Sequence, residues 1–338
     1  MGDTQVPTDV YGIFRFLDPD LSVPASERPM FVGPTPKRVV EERIKLIDFR
    51  NSHDIEKGAK GLDVQSFTFV NHKFSLHANQ ILEGTNAEDI YAQEVIDFML
   101  KLTGASRAVV HNITFRRKTA ESQDQTLDPK QYAVQRRGGE RLRQVGSQPR
   151  NGILVNRKGD YTDEPIRHAH CDITLDSARG ALRYCRKIVK EAAMPVLELE
   201  DARSEGAAVK IPRYAAYSVW RPLKTVKRDP IAVLDYRSID KTEMVVTDFR
   251  VPSEVAESGE HVSSGWLHTP PKKPEALEWY WVPEQKPDEV CIIKFSDSAC
   301  EDDPNIAASC FHCSPVVLGT QCEQPRESVE ARIYCFWE

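Results

Sequence analysis

Residues 170–172 read His-Cys-Asp, and they carry the clearest chemistry in the chain. On a strand, residues i and i+2 point to the same side. His170 and Asp172 can therefore grip one divalent metal ion, and a distal histidine would complete a 2-His-1-carboxylate set with open positions. The competing reading is a pair of solvated polar side chains ahead of a helix. The chain has 8 cysteines, of which Cys310 and Cys313 form a CxxC with Cys322 nine residues on. Structural zinc needs a second pair at suitable spacing. None is clear, so the cysteines read as buried or incidental. No G-x-G-x-x-G, P-loop or G-x-S-x-G occurs, which argues against nucleotide-dependent enzymes and α/β-hydrolases.

The elements that must position these groups follow from composition and pattern. The chain has 338 residues, 40% hydrophobic and 28% charged, with a net charge of −6. That is ordinary globular composition and gives no reason to expect a nucleic-acid partner. No apolar run approaches the ~18 residues of a membrane span. The start, MGDTQVPTDVYGIF, lacks a basic and then apolar leader, so a cytoplasmic protein with reduced thiols is expected. Residues 1–60 are rich in Pro and charge and read as an N-terminal arm with surface segments. Residues 61–338 read as a single catalytic domain. DVQSFTFVNHKF (63–74) reads as strand and turn. Thr85 and Asn86 can cap a helix through about Leu102, stopped by Gly104. SRAVVHNITFRR (106–117) reads as a strand, and 118–150 as a long polar loop carrying Arg136, Arg137, Arg141 and Arg143. A second helix is expected over 174–193. From residue 211 short β-rich runs recur between Pro, Gly, Asp and Ser. This pattern predicts an α+β, mainly β fold: a sandwich or jelly roll with flanking helices.

Several stretches, in order, resemble a family. VWRPL (219–223), DPIAVLDYRSID (229–240), WYWVPEQKPDEVCIIKFSDS (279–298) and PRESVEARIYCF (325–336), together with HCD (170–172), are similar to the fungal and bacterial hydroxylase/desaturase group. That group includes the aspergillic-acid hydroxylase, the fungal gibberellin desaturase and the cephamycin methoxylation component. The resemblance covers roughly residues 85–336. It implies the cupin-like double-stranded β-helix of non-haem Fe(II)/2-oxoglutarate oxygenases and a role in secondary metabolism. It also implies that Arg326, with Ser328, takes the distal carboxylate of 2-oxoglutarate. A homodimer is a family-level expectation.

The chain departs from the family pattern at three positions. Ala308 falls where the distal histidine is expected, Leu277 where a histidine precedes the aromatic run, and Ile113 where NITFR replaces a D-H-T-x-R motif that keeps Arg116. His312 lies four residues beyond Ala308, a displacement of ~13 Å along a strand. On this reading only His170 and Asp172 remain as ligands, and two seldom hold Fe(II) against water.

The expected function is then a metal-independent cyclase of hetero-Diels–Alder type, similar to those of fungal tropolone-sesquiterpenoid pathways. It would need no cofactor and would capture a quinone methide with an alkene of a hydrophobic polyketide or terpenoid. Proximity and orientation would drive it. Arg116 and Arg326 would hydrogen-bond an anionic substrate oxygen, and His170 with Asp172 would act as an acid/base pair. Trp220, Trp279, Tyr280 and Trp281, with Leu277, Ile113 and Ser328, would shape the pocket, against a plain core-packing reading of the aromatics. The alternative is an Fe(II)/2-oxoglutarate-dependent hydroxylase or desaturase, with His312 or His268 as third ligand. A second alternative is a non-catalytic partner subunit.

Overall fold

Alternation at period two builds the walls of the site. In the strand Ser328–Phe336 (β15), Val329, Ala331 and Ile333 enter one apolar cluster, whereas Ser328, Glu330 and Arg332 occupy the opposite face. The strand Tyr214–Pro222 (β7) pairs with it and divides likewise, Val219 on one side and Ser218 with Trp220 on the other. Such division marks a sheet with one face against helices and the other facing a polar cleft.

The computed structural model describes residues 9–19, 36–120, 151–156, 164–253, 255–257 and 259–338. The remaining strands are Val10–Pro19 (β1), Pro36–Asp48 (β2), Phe67–Asn71 (β3), Arg107–Arg116 (β4), Leu154–Asn156 (β5), His170–Cys171 (β6), Ala232–Leu234 (β8), Met244–Pro252 (β9), Glu260–His268 (β10), Trp279–Trp281 (β11), Glu289–Asp297 (β12), His312–Cys313 (β13) and Val316–Val317 (β14). They form two sheets. The larger runs β14-β1-β2-β11-β8-β13-β6-β10-β9 and the smaller β3-β12-β7-β15-β4-β5. Pairing is antiparallel except for β2 with β11 and β4 with β5. The two sheets form the jelly roll expected from the sequence.

Helices cover the flanks. Gly58–Val64 (α1), Ala78–Leu82 (α2) and Ala92–Thr103 (α3) belong to the cluster outside the smaller sheet, where Leu62, Ile81, Val95 and Met99 pack on Val110, Ile113 and Ala331. Leu175–Tyr184 (α4) and Lys187–Ser204 (α5) contribute Leu182, Val189 and Leu197 to the cluster that also holds Phe67, Trp220, Val233 and Tyr280. A third cluster, with Phe14, Leu46, Trp279 and Phe311, fills the other face of the larger sheet.

Two expectations differ from this architecture. The N-terminal segment includes β1 and β2, paired over ten residue positions and joined to the larger sheet. Phe14, Phe16, Ile44 and Leu46 are buried there. Their alternation is short and lies among charged neighbours such as Arg15, Glu41 and Glu42, which masks it in composition. The helix expected over 174–193 is two helices. α4 starts at the N-cap Thr174, whose hydroxyl accepts from the Ser177 amide, and the chain breaks at Cys185–Arg186 before α5. Residues 121–150, with the basic patch, lie outside the described residues.

Candidate metal centre and cleft

β6 is two residues long and lies between β13 and β10. His170 pairs with His312 on one side and Leu267 on the other. Gly265 makes this crossing feasible: a Cβ there would fall 2.6 Å from the Cys171 carbonyl oxygen and 3.0 Å from that of Asp172. Only a residue without a side chain lets β10 approach so closely.

His170, Asp172 and His312 meet in the cleft. One ligand atom from each lies within 4.8 Å of the others. Nε2 of His170 is 3.2 Å from Oδ1 of Asp172, and Nε2 of His312 is 3.7 Å from the same oxygen. The imidazole centroids are 4.4 Å apart. Each Nδ1 lies against a backbone carbonyl two residues back, His170 on His168 at 2.9 Å and His312 on Cys310 at 3.2 Å. A carbonyl only accepts, so both Nδ1 atoms carry the proton, and in the neutral ring Nε2 presents a lone pair. The buried Nε2 of His170 has no hydrogen-bond partner. Burial, reinforced by His170, lowers the His312 pKa to about 4, so that ring is neutral at physiological pH. Two lone pairs converging on a carboxylate oxygen fit a shared cation. Burial alone would raise the Asp172 carboxyl, but the Arg332 guanidinium holds it well below the usual range. These residues therefore have the types and orientation of a site for a divalent metal.

The two-ligand expectation is thereby corrected. His312, not a residue at position 308, stands beside His170 and Asp172. The ~13 Å displacement applies to an extended strand, whereas residues 307–311 lie outside any strand. That segment is tied elsewhere: the Ala307 amide donates to the Asp63 carbonyl at 2.7 Å, the buried Lys294 ammonium donates to the Ala307 carbonyl at 3.2 Å, and the Cys310 amide donates to the Lys294 carbonyl at 2.8 Å. The buried Asp297 carboxylate holds that ammonium at 2.6 Å. His268 sits away from the group, packed between Phe16 and Phe311. Among the described residues, the potential metal group contains no cysteine.

The other candidates divide between cleft and core. Arg116, Trp220 and Arg326 line the cleft with the three residues above. Arg326 is buried, donates through Nη1 to the Asp229 carbonyl at 3.0 Å, and stacks over Trp220 at 5.2 Å. Its Nε has no partner. Burial, followed by the nearby Arg116, lowers its pKa to about 9, so it remains a cation at neutral pH. Ser328 shares the strand face of Glu330 and Arg332, which line the cleft. Trp279, Trp281, Leu277 and Ile113 do not line it: Ile113 packs toward the helices and the other three belong to the outer cluster. Tyr280 takes the inner face but packs on Phe67, with ring centroids 5.5 Å apart.

Sequence reasoning missed Arg332 and Glu330. Arg332 reaches Oδ2 of Asp172 through Nε at 3.1 Å and Nη2 at 2.8 Å. Glu330 accepts from the Ser218 hydroxyl at 2.8 Å. The available signal was the polar alternation Ser328-x-Glu330-x-Arg332 in an otherwise apolar strand.

A family model described as an oxidoreductase/YMDC permease-like domain matches residues 27–336. Among the described residues, no helix is long and apolar enough to cross a membrane. The gibberellin cluster GA4 desaturase of Gibberella fujikuroi is 32% identical over 265 residues, covering 74% of this chain and 73% of its own length. The alpha-ketoglutarate-dependent dioxygenase tstK of Talaromyces stipitatus is 26% identical, covering 78% and 75%. A solved structure of the iron and alpha-ketoglutarate-dependent endoperoxidase NvfI superposes with a TM-score of 0.62 at 21% identity, over 98% of each chain.

Proposed function

Because the chain belongs to the fungal hydroxylase/desaturase family, we propose that it is an Fe(II)- and 2-oxoglutarate-dependent oxygenase that hydroxylates or desaturates a hydrophobic small molecule of secondary metabolism. The observation that carries this reading is the convergence of His170, Asp172 and His312 within 4.8 Å, with both Nδ1 atoms occupied. These three residues would hold Fe(II) from one side. When bound, the metal supplies the oxidising chemistry that couples dioxygen and the decarboxylation of 2-oxoglutarate to succinate with cleavage of a substrate C–H bond.

The chain's own residues divide the remaining work. Arg326 is a buried cation with a free Nε, suited to a carboxylate of the co-substrate through charge-assisted hydrogen bonds. Ser328, two residues on, would add a hydroxyl to the same carboxylate. Trp220, Ile231 and Ile293 give the cleft apolar surface, where a hydrocarbon skeleton is held and water excluded. Arg116 stands at the same cleft and would orient a polar oxygen of the guest. Cofactor-free cyclisation was inferred from a lost third ligand, and that ground is removed by His312.

Reconstitution with Fe(II) under anaerobic conditions, followed by addition of 2-oxoglutarate and dioxygen, tests the reading. One equivalent of tightly held iron and 2-oxoglutarate-dependent succinate release are expected, both abolished in His312→Ala. A wild-type protein that retains no iron would overturn it.

A further inference from the structure

Arg332 stands behind the metal centre with every face of its guanidinium engaged. Nε and Nη2 both contact Oδ2 of Asp172, at 3.1 and 2.8 Å. Nη1 reaches Oδ1 of Asn112 at 2.9 Å and the Thr114 hydroxyl at 3.2 Å. Nη2 also lies 3.1 Å from Oε2 of Glu330. Asn112 and Thr114 are themselves joined by a 2.9 Å hydrogen bond. The fork is thus fixed from the β4 side and by Glu330, and of the two Asp172 oxygens it takes Oδ2. The other oxygen, Oδ1, is the one facing both Nε2 atoms.

We infer that Arg332 is a positioning residue that fixes Asp172 as a single-oxygen ligand, withholding Oδ2 from a bound divalent metal. This rests on the oxygenase reading above. Two consequences follow from coordination chemistry. A carboxylate clamped through one oxygen cannot chelate through both, so the metal keeps an additional position open for exogenous groups. The clamp also sets the direction of Oδ1 before metal arrives, which lowers the ordering cost of binding. An ammonium keeps the charge but lacks the planar fork that sets two donors on Oδ2 of Asp172 and a third on Asn112 in one fixed geometry.

The test uses Co(II) as a spectroscopic probe on the intact chain, with Arg332→Gln, Arg332→Lys and Asn112→Ala. Outer-shell partners of metal ligands typically contribute 10–100-fold to affinity. Arg332→Gln is expected to weaken Co(II) binding by about that factor and to lower the intensity of the visible d–d bands, as Asp172 swings to two-oxygen chelation and the coordination number rises. Arg332→Lys should restore part of the affinity, through charge, but not the band intensity. Asn112→Ala leaves both charges in place and reports the clamp if Arg332→Gln fails to fold; it should shift the spectrum in the same direction by less. Tight wild-type binding with affinity and spectrum unchanged in all folded variants overturns the inference and leaves the oxygenase reading standing. No Co(II) binding by the wild type overturns both.

Discussion

His312 on β13 lies directly opposite His170 on β6, and the two imidazole centroids are 4.4 Å apart. The pair comes from positions 142 residues apart in sequence. Each ring is fixed by a carbonyl of its own local segment, so neither depends on the other for its orientation.

The first prediction concerns which residue supplies the second imidazole. His312→Ala should lose metal binding by more than the ~100-fold typical of outer-shell changes, as read by metal content after gel filtration. The double variant His312→Ala/Ala308→His should remain empty, because residue 308 is on a segment held by Asp63 and Lys294 rather than on β13. Recovery of metal in the double variant would show that position 308 reaches the centre.

Arg326 should show opposite effects on stability and on co-substrate binding. It is buried and donates through Nη1 to a neutral carbonyl, that of Asp229. An apolar replacement of a poorly compensated buried charge is often neutral or stabilising. Arg326→Met should therefore leave the melting temperature unchanged or raised. Loss of a buried charged contact to a ligand carboxylate costs about 2–5 kcal/mol, so the concentration of 2-oxoglutarate needed for half-maximal turnover should rise at least tenfold. A large drop in melting temperature with unaltered co-substrate dependence would contradict both assignments.

Gly265→Ala tests the close crossing of β10 over β6. The new methyl group would sit 2.6 Å from the Cys171 carbonyl oxygen, and backbone must shift to admit it. Overpacking of this kind costs roughly 1–3 kcal/mol. The shift falls on the strand that carries His170 and leads to Asp172, so Co(II) affinity should fall along with the melting temperature. Normal metal affinity in the variant would show that the crossing has slack.

Acid should destabilise the metal-free protein well above the range where carboxylates titrate. Burial, with help from Arg186, lowers His111 to about 3 and His261 to about 4, against about 6.5 for a free imidazole. Between pH 6.5 and about 4 the unfolded chain accepts protons that the folded chain refuses, so stability falls as pH drops through that window. Each imidazole should contribute on the order of 1 kcal/mol after solvent screening. Calorimetry with chelator present should give a steadily falling melting temperature from pH 7 to 4.5, shallower in His261→Gln. A flat profile would mean these rings titrate freely in the fold.

The jelly roll was legible because its strands are short, alternating and punctuated by Pro, Gly and Asp, and His-x-Asp was legible because residues two apart in sequence stay close whatever the strand's exact end. The third ligand was not. Its placement depends on an antiparallel register between β13 and β6, and a two-residue strand carries no alternation to read. Arg332 was hidden for a related reason: Asn112 and Thr114 reach it through the pairing of β15 with β4, and Asp172, just past β6, through the facing of the two sheets. The aromatic run at 279–281 marked buried positions reliably, but which face met the cleft depended on sheet order rather than on residue type.

The order in which these groups leave the ribosome has a biosynthetic consequence. His170 and Asp172 are made well before His312 and the clamp at Arg332. β15, which carries the clamp, inserts between β7 and β4 as an inner strand, so its slot stays vacant until that stretch has been made. On the oxygenase reading, metal capture waits for the segment that carries His312 and Arg332, and products cut short ahead of it would be unable to hold the ion.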